Sequence, residues 1–200
     1  MREIGIVKQV QIQRSSLKIG ERPYRVYSPD PLLVVEAIRV DPAGVIGLTS
    51  DGGEIIDVHN SHHPQTRNSG VNAVSVGFTG HYHAMRTEYG AHLVDACAGE
   101  NILVETDGII KLAHLGKRLA FQNPHTDKIC YLDDVIVAAP CVEFSHYARQ
   151  SNLQANPLPP DLVKTTLQFL DDGMRGFYAG VRSPITIQAG DKVFAVDDEA

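Results

Sequence analysis

Short apolar runs, each about the length of a β-strand, dominate the hydrophobic pattern of the chain. They occupy Ile4–Gln13, Val34–Val40, Val45–Thr49, Glu54–Val58, Asn101–Thr106, Ile109–Ala113, Val135–Ala139, Ile185–Gln188 and Lys192–Val196. Three pairs of these runs flank turns that contain glycine, at Ser50–Gly53, Asp107–Gly108 and Ala189–Asp191, and such turns are typical of β-hairpins. The pattern predicts a mainly β fold, a closed antiparallel β-barrel with a few peripheral α-helices.

Two segments carry apolar residues at helical spacing instead. The first is Thr79–Glu88, which Thr79 would cap and Gly90 would end. The second is Leu162–Leu170, which stops before Gly173. We expect the apolar faces of both helices to pack on the core.

The composition is that of a packed globular protein, since 43% of the 200 residues are hydrophobic and 21% are charged. This balance excludes intrinsic disorder, and the size predicts a single domain over residues 1–200. No apolar run approaches the roughly 20 residues of a membrane span, so we expect no membrane partner. Because the amino terminus lacks the extended apolar core of a signal peptide, we expect a cytoplasmic protein.

The formal net charge of −6 argues against a nucleic-acid-binding module, because nucleic acids attract basic proteins. It leaves open a site for a small anion, which a few clustered cations can hold. Arg67, Arg86 and Arg175 lie near the candidate loops and are the candidate anion clamps. The chain has no GxGxxG, Walker or GxSxG motif, so dinucleotide, ATP and serine-hydrolase functions have no support.

The three cysteines are widely spaced and form no CxxC motif, so neither a disulfide framework nor a zinc ribbon fits them. Cys141 differs from Cys97 and Cys130 because it follows Pro140 directly after a predicted buried strand. Since proline cannot continue the strand as a hydrogen-bond donor, we expect Cys141 at the rim of the sheet, where a ligand can reach its thiol. The alternative is a buried cysteine that serves only as a small apolar residue.

Three histidines, His59, His62 and His63, lie within five positions directly after a predicted strand. Imidazole binds zinc, iron or copper, but the spacing matches neither HExxH nor a facial triad. Histidines at a strand end also suit an anionic ligand, so we rank an anion- or pterin-binding site above a metal cage. For His62 and His83, an exposed position in a loop or helix without a function is the alternative.

A turn at Gly99–Asn101 adds an acceptor and an amide group to the candidate chemistry. Glycine permits close backbone approach, Glu100 supplies the carboxylate, and Asn101 supplies both a donor and an acceptor. On its own, this short sequence is a weak signal.

Taken in order, four segments of the chain resemble the MOSC family, which is named for the carboxy-terminal domain of molybdenum cofactor sulfurases. These segments are Gly99–Ile102, Pro140–Cys141, Gly173–Tyr178 and Gly190–Asp191, and the resemblance spans about Ile4–Val196. It implies the MOSC β-barrel, which is similar to the barrel of pyruvate kinase.

The resemblance also implies binding of the molybdenum cofactor (molybdopterin), a phosphate-bearing pterin dithiolene. Cys141 matches the cysteine proposed in the family as a sulfur carrier or as a molybdenum ligand. The residues that we expect to contact the cofactor, in one cleft with Cys141, are His59, His63, Arg86, Glu100, Asn101 and Arg175.

Sulfur transfer and a small molybdenum-dependent reductase both remain open as functions. The pyridoxal-phosphate-dependent desulfurase domain of fused sulfurases is not part of this sequence, so sulfur transfer implies a separate cysteine desulfurase, and reduction implies a redox partner. Two alternatives come from other classes. One is a non-catalytic pterin- or anion-binding barrel with a structural Cys141, and the other is a histidine-metal enzyme that has lost the molybdenum cofactor.

Overall fold

The computed structural model describes residues 1–196, which form fourteen β-strands, three α-helices and one short 3-10 helix at Leu112–His114. The strands are β1 (Arg2–Gln13), β2 (Lys18–Ile19), β3 (Val26–Tyr27), β4 (Leu32–Val35), β5 (Ala37–Asp41), β6 (Gly44–Leu48), β7 (Glu54–Ile56), β8 (Val74–Phe78), β9 (Ile102–Glu105), β10 (Arg118–Gln122), β11 (Ile129–Val137), β12 (Phe177–Gly180), β13 (Ile185–Gln188) and β14 (Lys192–Val196). The helices are α1 (Thr79–Tyr89), α2 (Val142–Ala148) and α3 (Pro160–Leu170).

Seven strands form a closed barrel in the order β14–β10–β11–β12–β8–β9–β1, and the pairing of β14 with β1 completes the ring. Strands β8 and β9 run parallel, whereas the other neighbours in the ring are antiparallel. Strand β1 is long enough to pair with two strands along its length, with β14 at Arg2–Ile6 and with β4 at Val10–Gln13. The predicted mainly β fold with a closed barrel is confirmed.

Strands β13, β5, β6 and β7 form a second, antiparallel sheet. Strands β6 and β7 form the predicted hairpin, which turns at Ser50–Gly53. The buried side chains of Ile38, Val45 and Ile187 join Ile12 of the barrel in one apolar cluster. Because the two sheets share this core, the segment that follows β7 is fixed relative to the barrel.

A second apolar cluster involves all three helices. Tyr82 and Met85 of α1, Phe144 of α2 and Leu170 of α3 are fully buried in it. The apolar faces of α1 and α3 therefore pack on the core, as expected. Helix α2 was not predicted, because seven residues are too few to show a helical period. Among residues 1–196, no helix has both the length and the apolar content needed to span a membrane.

Two of the three predicted hairpins are wrong. Residues Ile109–Ala113 form no strand, because β9 already pairs with β1 on one edge and with β8 on the other. Strands β13 and β14 have the predicted bounds but do not pair with each other. Strand β13 pairs with β5, whereas β14 pairs with β10 and β1. The turn between them therefore connects two sheets.

Two local boundaries also differ from the predicted ones. The single strand predicted at Val34–Val40 divides at Glu36, where the chain passes from β4 to β5. Thr79 does not cap helix α1, because its hydroxyl donates to the backbone carbonyl of Thr106 (3.0 Å) and accepts from its N–H (2.9 Å). Because β8 and β9 are parallel, their carboxyl ends lie side by side, and Thr106 after β9 is close to Thr79 after β8. The Thr79 hydroxyl therefore bonds to Thr106 and does not cap the helix.

Candidate functional site

A cleft of about 240 Å³ lies between loops of both sheets and the start of α2. Its walls come from the end of β1, the segment after β7, the turn before β9, the link between β11 and α2, and the residues around the start of β12. Four of the seven predicted site residues line it: His59, Glu100, Cys141 and Arg175. The fold therefore brings together residues that are far apart in the sequence.

Cys141 lies at the boundary between β11 and α2. Strand β11 ends at Val137, and Cys141 is the extended residue that immediately precedes the helix. Its carbonyl accepts hydrogen bonds from the backbone N–H and the hydroxyl of Ser145, both at 3.0 Å. These bonds hold the backbone in place, while the partly exposed side chain lines the cleft.

Cys97 and Cys130 have different surroundings. Burial raises the pKa of Cys97 to about 12 and that of Cys130 to about 11, so both thiols are protonated near neutral pH. Neither of them lines the cleft. Within residues 1–196, Cys141 is therefore the one thiol that a ligand in the cleft can contact.

A buried carboxylate holds His59. Oδ1 of Asp57 lies 3.1 Å from Nδ1 of His59 and accepts the His59 backbone N–H at 2.7 Å. Oδ2 accepts the backbone N–H of Gln13 (2.7 Å) and the side-chain amide of Asn101 (3.0 Å). Since a carboxylate oxygen accepts, Nδ1 is the donor, and Nε2 is the ring nitrogen available to a ligand.

Asn101 lies behind the cleft. Its Oδ1 accepts hydrogen bonds from the backbone N–H (3.1 Å) and the hydroxyl (3.0 Å) of Ser75, and its Nδ2 donates to the Gln11 carbonyl (3.2 Å) and to Asp57. The amide thus uses both lone pairs and both N–H groups inside the protein, and none is left for a direct ligand contact. Asn101 positions Asp57, and through it His59.

Glu100 lies at the floor of the cleft and is 2% exposed. Its carboxylate accepts a hydrogen bond from the hydroxyl of Tyr82 (2.6 Å) and lies 4.0 Å from Nη1 of Arg175. Two glycines make room for it, since a Cβ at Gly77 would lie 2.7 Å from Cγ of Glu100 and one at Gly176 would lie 3.2 Å away. Burial raises the pKa of Glu100, and Arg175 and Tyr82 oppose that effect only in part.

Arg175 is a largely buried cation in the wall of the cleft. Its guanidinium lies 4.4 Å from the centre of the Phe144 ring, and its Nη1 donates to the Ala98 carbonyl at 2.8 Å. Burial alone would lower the pKa of Arg175, but Tyr27 and Glu100 raise it, so the side chain stays charged. Its Nε has no hydrogen-bond partner within residues 1–196.

Cations dominate the charged residues of the cleft. Five of the 18 Lys and Arg residues line it, namely Lys18, Arg22, Arg25, Arg67 and Arg175, together with a single carboxylate, Glu100. Lys18 and Arg25 share the carboxylate of Glu143 on α2. In the part of the chain that the structure describes, the side chains of Arg22 and Arg67 form no ion pair. A chain with a net charge of −6 therefore carries a local positive potential at this cleft.

His63 and Arg86, which were predicted to share the cleft, do not line it. Nδ1 of His63 accepts the backbone N–H of Gln65 (3.1 Å) and so holds a turn beside the cleft. Arg86 donates to the carboxylate of Asp95 (2.7 Å) and to the carbonyl of Leu93 (3.2 Å), because α1 points it toward the loop that leads to Gly99–Asn101. Both residues shape loops next to the site.

The basic segment between β1 and β3 was not predicted to take part. Its cations Arg14, Lys18, Arg22 and Arg25 recur every three or four residues, and all but Arg14 line the cleft. This regular spacing of cations is visible in the sequence and could have predicted an anion site. Asp57 was also not predicted to take part, although its position two residues before His59 favours a contact between them.

The clustered histidines do not form a metal cage. Over residues 1–196, no group of three or more His, Cys, Asp and Glu side chains is arranged to hold a metal ion.

Comparison with known proteins gives similarity in fold alone. No protein-family model matches the chain, and no curated protein matches its sequence. The structure is similar to YuaD from Bacillus subtilis (TM-score 0.56, 14% identity, 96% of both chains) and to a hypothetical protein (TM-score 0.55, 14% identity, 99% of this chain and 71% of the other). It is also similar to YiiM from Geobacillus stearothermophilus (TM-score 0.50, 16% identity, 98% of this chain and 75% of the other). At identities of 14–16%, these similarities show the fold and no more.

Proposed function

We propose that the chain binds the molybdenum cofactor in this cleft and acts as a small molybdenum-dependent reductase, with Cys141 as the protein ligand of the metal. The observation that carries the proposal is the meeting of one reachable thiol, five cationic side chains and a carboxylate-held histidine in one cleft. The MOSC-type barrel is compatible with it.

The donor groups of the cleft fit the phosphate of such a cofactor. The Nε atoms of Arg25 and Arg175 are buried and lack a hydrogen-bond partner among residues 1–196. A buried N–H without a partner costs free energy, so an anionic ligand that accepts from it would be stabilised. Arg22 and Arg67 add charge without a competing carboxylate, and charge-assisted hydrogen bonds to phosphate are strong.

The cleft also fits the metal end of the cofactor. A cysteine thiolate is a soft ligand, which suits a dithiolene-bound molybdenum better than hydroxyl or carboxylate oxygen would. Burial keeps the thiols of Cys97 and Cys130 protonated, so Cys141 is the cysteine that would bind the metal.

The bound cofactor would supply a metal centre that takes up electrons in pairs and passes them to a substrate. Reduction of an N-hydroxylated compound to the amine consumes two electrons and two protons and releases water. His59 would take up a proton from solvent at Nε2 and pass it to the substrate, while Asp57 holds the proton on Nδ1. Glu100 and Arg175 fix the floor on which the ligand rests, and the electrons come from a separate redox partner.

Sulfur transfer is the second candidate, and the partial exposure of Cys141 favours it. In that role Cys141 would accept sulfur as a persulfide from a cysteine desulfurase, which would hold the pyridoxal phosphate. His59 has no necessary part in such a transfer. The two candidates therefore differ in their dependence on His59.

The test compares Cys141→Ser with Cys97→Ser and Cys130→Ser after loading with cofactor. We expect Cys141→Ser to lower reduction of an N-hydroxylated substrate by more than about 100-fold, since losing even an indirect partner of a metal ligand costs roughly 10–100-fold. The two control variants should keep their activity if they fold. Molybdenum, pterin and sulfane sulfur are measured on the same samples.

A His59→Asn variant separates the two candidates. Reduction should fall by about 100-fold or more if His59 supplies a proton, while the sulfane sulfur on Cys141 stays unchanged. Parent protein that holds neither molybdenum nor pterin after loading would refute the proposal. Full activity in Cys141→Ser would refute the role of Cys141, and a parent protein that binds the cofactor without any reductase activity or bound sulfane sulfur would indicate the non-catalytic barrel.

A further inference from the structure

A short hairpin carries three of the five cations that line the cleft. Strands β2 and β3 form a two-stranded sheet of their own, outside the barrel and the second sheet. Residues 18–27, called here the basic arm, include Lys18, Arg22 and Arg25. Because each strand has two residues, the basic arm has too few hydrogen bonds of its own to keep a fixed place. Its contacts with the rest of the protein therefore decide where the three cations lie.

An aromatic residue fixes the base of the basic arm. The centre of the Tyr27 ring lies 5.0 Å from that of Phe144 and 5.2 Å from that of Tyr147, and both of these residues belong to α2. The Tyr27 hydroxyl donates to the Cys97 carbonyl at 2.8 Å. These contacts hold the backbone at the end of β3, but the cationic side chains of the basic arm need a partner of their own to fix their direction.

Glu143 of α2 is that partner for two of the cations. Its Oε1 accepts a hydrogen bond from Nη2 of Arg25 at 2.5 Å, and its Oε2 lies 3.5 Å from Nζ of Lys18. The Glu143 side chain is 10% exposed, so these ion pairs are sheltered from water, unlike ordinary surface pairs. Burial alone would raise the pKa of Glu143, but its own backbone N–H and the two cations lower it, so the carboxylate is charged near neutral pH.

The position of Glu143 in the chain links the basic arm to the thiol. Glu143 follows Cys141 by two residues, at the start of the same helix, and does not itself line the cleft. Its carboxylate therefore joins Arg25 and Lys18 to the segment that presents Cys141. A residue placed in this way acts on a ligand through the cations that it holds.

We propose that Glu143 is a positioning residue of the cleft, which holds Arg25 and Lys18 in the direction that an anionic group of the ligand requires. The proposal rests on the proposed function for the presence of such a group beside Arg25. It assigns to a carboxylate outside the cleft a part in binding anions, which a negative charge would otherwise oppose.

This role and a purely electrostatic one predict opposite results when Glu143 loses its charge. A carboxylate close to an anion site repels the anion, so its removal would by charge alone strengthen anion binding. If Glu143 orients the cations, its removal lets Arg25 and Lys18 take up several rotamers. Binding must then order these side chains again, which weakens it.

The test measures binding of inorganic phosphate to the full chain by calorimetry. We expect Glu143→Gln to bind phosphate about fivefold more weakly than the parent, although the variant carries one negative charge less. Glu54→Gln is the matched control, because Glu54 accepts hydrogen bonds from Arg39 at 2.6 and 2.9 Å outside the cleft. It makes the same change in net charge and should keep phosphate affinity within about twofold of the parent.

A double variant shows whether Glu143 acts through Arg25. Arg25→Gln should itself weaken phosphate binding, and adding Glu143→Gln to it should cause less than about twofold further loss, because the cation that Glu143 orients is gone. Tighter binding in Glu143→Gln than in the parent would overturn the proposal. Full additivity of the two losses would overturn it as well.

Glu143→Asp serves as a second variant in case Glu143→Gln folds poorly, which circular dichroism would reveal. It keeps the charge and shortens the side chain, so we expect it to bind phosphate about twofold or more weakly than the parent. Parent affinity in both variants, or a parent protein that binds no phosphate, would contradict the positioning role. Loading with the molybdenum cofactor tests the proposed function separately, since absence of molybdenum and pterin would refute that function and leave the phosphate results unchanged.

Discussion

The floor and the rim of the cleft use their polar groups in opposite ways. The floor consists of two hydrogen-bonded groups, Asp57 with Asn101 and Ser75, and Tyr82 with Glu100. The rim consists of the cations Lys18, Arg22, Arg25 and Arg67. Every polar atom of the Asn101 side chain has a protein partner, whereas Arg22 and Arg67 have no ion pair within residues 1–196. The floor is complete without a ligand, and the rim is not.

This difference follows from burial. Polar groups away from water must be paired in the folded protein itself, because leaving one unpaired costs about 1–3 kcal/mol. Exposed cations are hydrated, so leaving them without a protein partner costs little folding free energy when no ligand is bound. The floor should therefore determine stability and the position of His59, and the rim should determine which anions bind. Each of the following changes tests one side of that division.

The largest effect is expected for Asn101→Leu on the floor. The change removes the hydrogen bonds that the Asn101 amide makes with Asp57, Ser75 and the Gln11 carbonyl in a buried place, and we expect the free energy of unfolding to fall by about 4 kcal/mol. Urea denaturation measures this loss. Asn72→Leu, in a partly exposed turn, is the matched control and should cost less than about 1 kcal/mol. Similar losses in the two variants would erase the distinction between floor and rim.

A somewhat smaller effect is expected from a buried group away from the cleft. His81 is 1% exposed, its Nδ1 has no partner within residues 1–196, and burial lowers its pKa from an ordinary 6.5 to about 4. The unfolded chain therefore binds more protons between these pH values. Stability due to neutral His81 is complete above pH 6.5 and is lost as the pH falls, by about 3 kcal/mol at pH 4.

Denaturation at several pH values checks this expectation with His81→Gln. Below pH 6.5, the free energy of unfolding of His81→Gln should fall less steeply than that of the parent. His83→Gln changes an exposed residue on the same helix and should show the same decline as the parent. An unchanged pH dependence in His81→Gln would mean that an unpaired buried atom outside the cleft carries no such cost.

The smallest effect on stability is expected at the rim. Arg22→Gln removes an exposed charge that has no ion pair among the described residues, so the free energy of unfolding should change by less than about 0.5 kcal/mol. Affinity for the phosphate-bearing cofactor should fall several-fold and become less sensitive to salt, because a charge-assisted contact is lost. Fluorescence of the bound pterin in a salt series measures both. A large loss of stability with unchanged affinity would reverse the roles of rim and floor.

The barrel could be predicted in outline because β1, β9, β14 and part of β11 are short apolar runs bounded by turn residues, a signal that these strands carry locally. Strand partners could not be predicted, because pairing depends on which edges are free. Residues Ile109–Ala113 have the pattern of a strand but face a β9 with both edges occupied. Strands β8, β10 and β12 escaped prediction because Val74–Phe78, Arg118–Gln122 and Phe177–Gly180 mix apolar with charged, polar or small residues, and tertiary contacts decide their structure.

For the site, too, the sequence shows which residues have suitable chemistry, but not which tertiary contacts they make. Chemical character alone singled out Cys141, His59, Glu100 and Arg175, and the fold brings all four to one cleft. The same reasoning placed Arg86 there, but helix α1 directs it to Asp95, a contact that residue type does not reveal. The predicted role of Asn101 as a direct contact overlooked its buried neighbours, which already use its whole amide.

Barrel closure has a consequence for the order of events during synthesis. The ring closes through β1 and β14, where Ile6 pairs with Lys192, so during synthesis β1 must wait for β14 before this pairing can form. At about 5–20 residues per second the delay is roughly 10–40 s. During that time, β1 can pair with β4 and later with β9, but the edge that later receives β14 stays open. If the chain folds as it is synthesised, closure of the ring follows the pairings that involve only earlier strands, because it joins two strands that are far apart in the described chain.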